Sequence, residues 1–282
     1  MILNYINWNV DPEIFRIGSF AVRWYGLLFA ASFVFGYIIM LRFFKKENIP
    51  VSVLDSLTTY MVIGTVVGAR LGHCFFYEPA YYLAHPMHIL MVWEGGLASH
   101  GAAVGIIITI LIFARAKKLH FLWVMDRVVI VVALSGLFIR TGNLMNSEIF
   151  GHITSLPWGF RFLRADPPLN LDPRHPTQLY EGLSYLLIFL FLWGYYYKKD
   201  GKPSEGFIFG LFMILVFGMR FLIEFLKEPQ EGFEKSMILN LGQLLSIPLI
   251  IAGAILVWLA TKNSKEAKSQ NDKNTQHPTP NT

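Results

Sequence analysis

Seven long apolar segments constrain the fold of this chain more than any other feature of its sequence. A helix that crosses a bilayer needs roughly 20 consecutive, mostly apolar residues, and the segments approach that length. Closed β-barrels also satisfy the backbone in lipid, but these segments lack the alternation of barrel strands. We therefore predict an all-α integral membrane protein, a bundle of seven transmembrane helices. The predicted spans are 17–43, 53–76, 98–115, 124–146, 178–197, 206–226 and 238–261.

The composition excludes a soluble globular protein. Of the 282 residues, 54% are hydrophobic and only 15% are charged, whereas soluble domains carry about 25% charged residues. The net charge of +5 does not indicate nucleic-acid binding, because the basic residues lie mostly in short loops. Cys74 is the single cysteine, which excludes an intramolecular disulfide and a cysteine-based metal site. Since the sequence also lacks metal-ligand spacing, we expect no metal and no cofactor.

Basic residues in alternate loops predict the orientation in the membrane. The positive-inside rule places these loops in the cytoplasm, so the N-terminus is predicted outside and the C-terminus inside. The outward loop 147–177 is an exception, because its three arginines are either functional or a sign of the opposite orientation. The cytoplasmic residues are Arg42, Lys45, Lys46, Arg115, Lys117, Lys118, Lys198, Lys199, Lys202, Lys262, Lys265, Lys268 and Lys273; the exceptions are Arg161, Arg164 and Arg174.

The chain divides into one membrane domain and a short tail. Residues 1–263 are predicted to form the transmembrane catalytic domain, which includes the outward, proline-rich loop 147–177. Loops longer than about 12–15 residues are usually functional or disordered. Residues 264–282 are polar and are predicted to form a disordered cytoplasmic tail.

A polar cluster closes the fourth apolar segment. The run 128–139 holds no charged residue, and Arg140, Asn143, Asn146 and Glu148 then follow within nine residues. Polar and ionisable groups near the hydrocarbon region are costly, so their presence there favours a functional site. We predict that this cluster binds a ligand or takes part in catalysis.

Further polar residues lie at the predicted outward ends of other spans. Arg220 and Glu224 are four residues apart and share a helix face, which fits either a structural ion pair or an arginine that binds phosphate. His100 lies among glycines, and it is either a satisfied polar group or a base that takes up a proton near neutral pH. Tyr25 is either an interfacial anchor or part of the site. Glu181 either caps the fifth span or lines the site.

Two arginines on different helices, a histidine and several amides near one leaflet suit one class of ligand. That ligand has an anionic phosphate head group in the interface and acyl chains in the bilayer. The residues alone therefore predict a membrane protein that handles phospholipids on its outward side.

At these positions the chain resembles the prolipoprotein diacylglyceryl transferase family, over about residues 24–229. The order of the seven spans also agrees with that family. The resemblance rests on Trp24-Tyr25-Gly26, Gly68-Ala69-Arg70-Leu71-Gly72-His73, Trp93-Glu94-Gly95-Gly96, His100-Gly101, Arg140, Gly142-Asn143, Asn146, Glu148, Gly151, His175-Pro176, Gln178-Leu179-Tyr180-Glu181, Arg220-Phe221, Glu224 and Pro229.

The resemblance implies a reaction and its substrates. Members move the diacylglyceryl group of phosphatidylglycerol onto the thiol of the lipobox cysteine in a preprolipoprotein signal peptide. A thioether forms and glycerol phosphate leaves, in the first step of bacterial lipoprotein maturation. The implied location is the bacterial inner membrane, with the active site towards the periplasm.

The resemblance also suggests roles for the site residues. Arg140 and Arg220 are assigned to the phosphate, and Asn143 and Asn146 to the orientation of the glycerol or phosphate oxygens. His100 is the candidate base. The carboxylates and the tyrosine are assigned to supporting roles, in which Glu148 and Glu224 position the arginines and Tyr25 supports the head group.

Parts of the sequence also fit three other functions. An intramembrane serine protease has faint support from Ala133-Leu134-Ser135-Gly136, but no histidine lies deep in a later span. A retinal protein requires a lysine in the last span, and residues 240–260 contain none. A phospholipid-binding transporter or scaffold without transferase activity is the main alternative.

Overall fold

The computed structural model describes residues 5–18, 20–92, 95–96, 98–229 and 237–276. In this part of the chain, seven helices are long and apolar enough to cross a membrane, which confirms the predicted fold class. The long helices are α1 (Trp24–Lys46), α2 (Val51–Phe76), α4 (Ser99–Lys117), α5 (Phe121–Met145), α6 (Thr177–Lys198), α7 (Phe207–Ile223) and α8 (Leu241–Gln276); a short helix α3 (Pro79–Ala84) follows α2.

The first span begins later than predicted. Residues before Trp24 form an antiparallel hairpin of β2 (Glu13–Ile17) and β3 (Phe20–Arg23). Gly18 turns the chain with φ of +59°, a conformation that glycine adopts without steric cost. The apolar residues of this hairpin made it look like the start of the helix. The prediction that the first span starts at residue 17 was therefore wrong, whereas the other six spans begin within three residues of the predicted positions.

The chain forms two compact units. Unit 1 comprises residues 1–38 and 128–282, and unit 2 comprises residues 39–127. In unit 2, α2 packs closely on α4 because glycines face each other. A Cβ added at Gly68 would lie 2.5 Å from the carbonyl oxygen of Gly101 and 2.8 Å from the Cα of Gly105. Backbone approach of this kind is typical of small residues at helix interfaces in membranes.

In unit 1, the predicted loop 147–177 is a folded cap rather than an open loop. Its strand β4 (Phe160–Phe162) pairs in parallel with β1 (Ile6–Trp8). Leu144 and Phe150 join the two phenylalanines of β4 in a small hydrophobic core against Trp8. The two short sheets are the part of the fold that the all-α prediction did not contain.

The three arginines of the cap have structural partners. Arg174 is buried and its Nη1 lies 2.9 Å from a carboxylate oxygen of Glu228. Arg164 pairs with Asp11 at 2.8 Å. Arg161 lies over the ring of Tyr5, 5.3 Å from its centroid. These contacts account for the three arginines on the outward side, so the arginines do not require the opposite orientation in the membrane. The orientation itself stays a prediction.

The last helix continues beyond the predicted domain boundary. Helix α8 extends to Gln276. The predicted tail, 264–282, therefore lies partly in α8, and residues 277–282 fall outside the described part of the chain. The boundary at residue 263 stays a prediction.

Candidate functional site

The polar cluster at the end of α5 forms one hydrogen-bonded network. Arg140 Nη1 donates to Asn143 Oδ1 at 3.0 Å. The Nδ2 groups of Asn143 and Asn146 both donate to Glu148 Oε1, at 2.8 and 3.2 Å. Because the carboxylate accepts both bonds, it fixes which end of each amide faces it. Four residues that the sequence placed within nine positions therefore act as one unit.

Strained backbone after α5 returns Glu148 to this network. Ser147 and Ile149 adopt positive φ values of 55° and 60°. For the β-branched Ile149 this conformation costs on the order of 1–3 kcal/mol, and it persists only where neighbours hold it. Those neighbours begin α6, since Gln178 Nε2 donates to the carbonyl of Glu148 at 2.6 Å and Thr177 Oγ1 to that of Ile149 at 2.9 Å.

A chain of five alternating charges extends from this network to α7. Arg140 Nε lies 2.6 Å from Glu181 Oε2, at ion-pair distance but without hydrogen-bond alignment. Lys227 Nζ lies 2.9 Å from Glu181 Oε1 and 3.2 Å from Glu224 Oε2. Arg220 Nε completes the chain, 3.9 Å from Glu224 Oε2. Three of the five side chains are almost fully buried, and Arg220 is the most exposed at 30%.

Two tyrosines lie among the charged groups. Tyr185 on α6 is buried and lies within electrostatic range of both Arg140 and Arg220. Tyr25, near the start of α1, interacts in the same way with Glu148 and Arg140. The two predicted arginines therefore lie near the same phenol, and the predicted tyrosine lies beside the Arg140 network.

Glycines allow this close assembly. A Cβ at Gly142 would lie 2.7 Å from Tyr25 Cδ2, and one at Gly242 would lie 2.5 Å from Glu224 Cδ. Larger residues at either position would displace a member of the site.

His175 lies beside the site, at the end of the cap. Its Nδ1 is 3.2 Å from the hydroxyl of Tyr180. Burial lowers the pKa of His175 below its ordinary value, and the neighbouring His152 lowers it further. The imidazole is therefore held in its neutral form, which suits a structural hydrogen bond rather than a cation that binds phosphate.

His100 belongs to unit 2. It is the second residue of α4, its side chain is exposed, and it lines an apolar groove of about 690 Å³ between α2 and α4. Buried Arg70 holds the segment before α4, because its guanidinium donates to the carbonyls of Gly95 and His88. Trp93 and Glu94, which were part of the sequence resemblance, lie outside the described residues.

The structure thus gathers seven of the eight predicted site residues in unit 1, together with Glu181, and adds two residues that the sequence did not single out. Lys227 and Tyr185 were missed. A lysine three residues after Glu224 was a usable signal, whereas a tyrosine inside an apolar helix carried none. Within the described residues, no group of three potential metal ligands is close enough to hold an ion. The gathered residues are Tyr25, Arg140, Asn143, Asn146, Glu148, Arg220 and Glu224.

Comparison with known proteins identifies the family. The family model described as prolipoprotein diacylglyceryl transferase matches residues 12–259. A phosphatidylglycerol–prolipoprotein diacylglyceryl transferase of Tolumonas auensis is 49% identical over 256 residues, 90% of this chain and 97% of its own length. Proteins of the same name from Chloroherpeton thalassium and Porphyromonas gingivalis are 45% and 44% identical, over 94% and 92% of this chain and 98% and 96% of their own lengths.

The residues that the family model matches include the long helices from α1 to α7, the first half of α8 and every residue of the charged site. The chain belongs to the prolipoprotein diacylglyceryl transferase family.

Proposed function

We propose that this protein transfers the diacylglyceryl group of phosphatidylglycerol to the lipobox cysteine of preprolipoproteins. The observation that carries the proposal is a pair of guanidinium groups, those of Arg140 and Arg220, which one network of ion pairs holds at one end of apolar helices. Such a site suits a phosphate at the interface while the acyl chains stay in lipid. The same role places the enzyme in the bacterial inner membrane with this site towards the periplasm.

The reaction exchanges a carbon–oxygen bond for a carbon–sulfur bond. The cysteine thiol of the protein substrate loses its proton, and the thiolate attacks the terminal glyceryl carbon. A thioether forms, the bond from that carbon to the phosphate oxygen breaks, and glycerol phosphate leaves with one more negative charge. Cys74 is buried in this chain and takes no part. The enzyme must therefore generate the thiolate and stabilise the growing charge on the phosphate.

The two arginines contribute differently to phosphate binding. Arg140 is 14% exposed and is oriented by Glu181 and Asn143. Arg220 is 30% exposed and contacts Glu224 only at 3.9 Å, so its fork is the more available of the two. We assign Arg220 to the departing phosphate group. Arg140, which its partners hold in place, is assigned to a second contact with the same phosphate. Glu148 and Glu224 position these cations, and Tyr25 supports the head group.

Asn146 is assigned to the glycerol head group rather than to phosphate. Glu148 accepts a hydrogen bond from its Nδ2, which turns Oδ1 away from the carboxylate. Among the described residues, Oδ1 has no hydrogen-bond partner. An amide oxygen accepts hydrogen bonds, so it suits a glycerol hydroxyl and not an anionic oxygen. Both ends of the Asn143 amide are engaged, Oδ1 by Arg140 and Nδ2 by Glu148, so Asn143 acts by holding these two side chains.

Mass spectrometry of a lipobox peptide tests the proposal directly. Purified protein in detergent is incubated with phosphatidylglycerol and the peptide, and a gain of one diacylglyceryl unit with equimolar glycerol phosphate is expected. Arg140→Ala should abolish transfer, while the exposed Arg42→Ala should leave it unchanged. Near-normal turnover by Arg140→Ala would contradict the assignment.

His100 is tested in the same assay as the base. Loss of a general base typically costs about 10²–10⁴-fold in rate. A His100→Asn variant that keeps more than about a tenth of the rate would exclude an obligatory base. Binding of phosphatidylglycerol by the wild type without any change in peptide mass would instead support a phospholipid transporter or scaffold.

A further inference from the structure

Lys227 is a buried cation to which the proposed reaction assigns no role. It follows the 3-10 turn Glu224–Leu226, and its side chain is 2% exposed. Lysine is almost never buried unless it is paired, because removal of its charge from water costs several kcal/mol. Its amine contacts Glu181 at 2.9 Å and Glu224 at 3.2 Å. The same two carboxylates also contact the arginines of the site.

The backbone around Lys227 is fixed to the segment that follows α5. Lys227 forms an antiparallel bridge with Gly151, and the His152 amide donates to the Leu226 carbonyl at 2.9 Å. A Cβ at Gly151 would lie 2.2 Å from that same carbonyl oxygen. The lysine therefore projects from a backbone that the cap holds in place.

Among the five charged side chains, each of the two carboxylates is shared between Lys227 and one arginine. Glu181 lies between Arg140 and Lys227, and Glu224 lies between Arg220 and Lys227. Without the lysine, Glu224 would be free to form a closer, bidentate pair with Arg220, which now lies 3.9 Å away. Such a pair would occupy the donors that a phosphate needs.

We propose that Lys227 is a positioning residue that competes with the two arginines for their carboxylates and so keeps guanidinium donors available for the phosphate. The inference rests on the proposed function, because it assumes that the arginines bind phosphatidylglycerol. With Glu148 included, three cations balance three carboxylates in this site, so loss of Lys227 would leave a net negative charge that disfavours an anionic ligand.

Substitution of Lys227 tests the proposal through affinity for the lipid. Lys227→Met should raise the KM and the Kd for phosphatidylglycerol at least about tenfold, the effect of one lost charge-assisted hydrogen bond, with a smaller change in kcat. Lys227→Arg keeps a buried cation and should recover most of the affinity. Lys202→Met, at an exposed lysine, is the matched control and should match the wild type.

A double variant separates competition from a purely structural role. In Lys227→Met combined with Glu224→Gln, the carboxylate that would capture Arg220 is gone, so the affinity should improve relative to Lys227→Met alone. A structural role predicts that the second substitution lowers the affinity further. The double variant also removes one of the two buried carboxylates that Lys227 contacts, so if Lys227→Met alone does not fold, the Kd of the double variant is compared with that of the wild type and should lie within about tenfold of it.

The outcomes distinguish this inference from the proposed function. Transfer by the wild type tests the function, and the lipid Kd of the variants tests Lys227 whether or not transfer occurs. A Kd for Lys227→Met within about twofold of the wild type, or no recovery in the double variant, would overturn the positioning role. If the wild type does not bind phosphatidylglycerol at all, both proposals are wrong.

Discussion

Replacement of Glu181 by glutamine removes one negative charge from the interior of unit 1 and leaves the shape of the side chain nearly unchanged. The carboxylate is 0% exposed and is shared by two cations, Arg140 at 2.6 Å and Lys227 at 2.9 Å. Glutamine keeps one oxygen as an acceptor for Lys227, but its amide nitrogen repels the guanidinium of Arg140. After the substitution, the two buried cations therefore have less negative charge nearby to balance them.

The magnitude follows from the burial of these charges. Removal of one partner of a buried ion pair typically costs about 3–5 kcal/mol, because the other charge stays in the interior. The low end applies here, since Lys227 keeps Glu224 and Arg140 keeps Asn143. With about 2–4 °C per kcal/mol for a chain of this size class, the Tm should fall by about 6–12 °C.

Thermal unfolding in detergent, followed by intrinsic tryptophan fluorescence, measures this shift. Glu266→Gln is the matched control, because its pair with Lys262 is 3.9 Å long and both side chains are more than half exposed. Such a pair contributes at most about 0.5 kcal/mol, so the control should shift the Tm by no more than about 2 °C. A Tm for Glu181→Gln as close to wild type as that of the control would refute the reasoning.

Two further predictions concern helix packing and pH. Gly68→Ala places a Cβ 2.5 Å from the carbonyl oxygen of Gly101 and should destabilise unit 2 by about 1–3 kcal/mol. Gly194→Ala is the control, because the space around its Cβ is open, and it should be neutral or slightly stabilising. The two variants are compared by their Tm values in detergent. The folded state lowers the pKa of His175, so near this pKa the unfolded chain binds more protons than the folded chain. The contribution of neutral His175 to stability is therefore present above the ordinary histidine pKa of about 6.5 and is lost as the pH falls below it. Tm measured from about pH 7.5 to 5 should therefore decline less in His175→Gln than in wild type, and an equal decline in both would contradict this sign.

Local sequence was sufficient for the spans and for part of the site. A bilayer demands continuous apolar length from each helix separately, so hydropathy located six of the seven starts within three residues. Likewise, Arg140 and Asn143 lie within one helical turn, and Glu148 follows close behind. Their network at 2.8–3.0 Å could be anticipated because neighbours in sequence are neighbours in space. The hairpin before Trp24 was missed because its apolar residues are indistinguishable from the start of a span by hydropathy alone.

Only the tertiary structure joined the separate polar groups into one site. Glu181 and Lys227 are 46 residues apart, and their contact depends on which helices are neighbours and on the height at which each ends. The same holds for Tyr25, which approaches α5 because Gly142 has no side chain. Sequence by itself determined a seven-span membrane protein with charges where charges are costly. The fold decided which carboxylate serves which cation, since ion pairing is a short-range interaction between groups that no local pattern brings together.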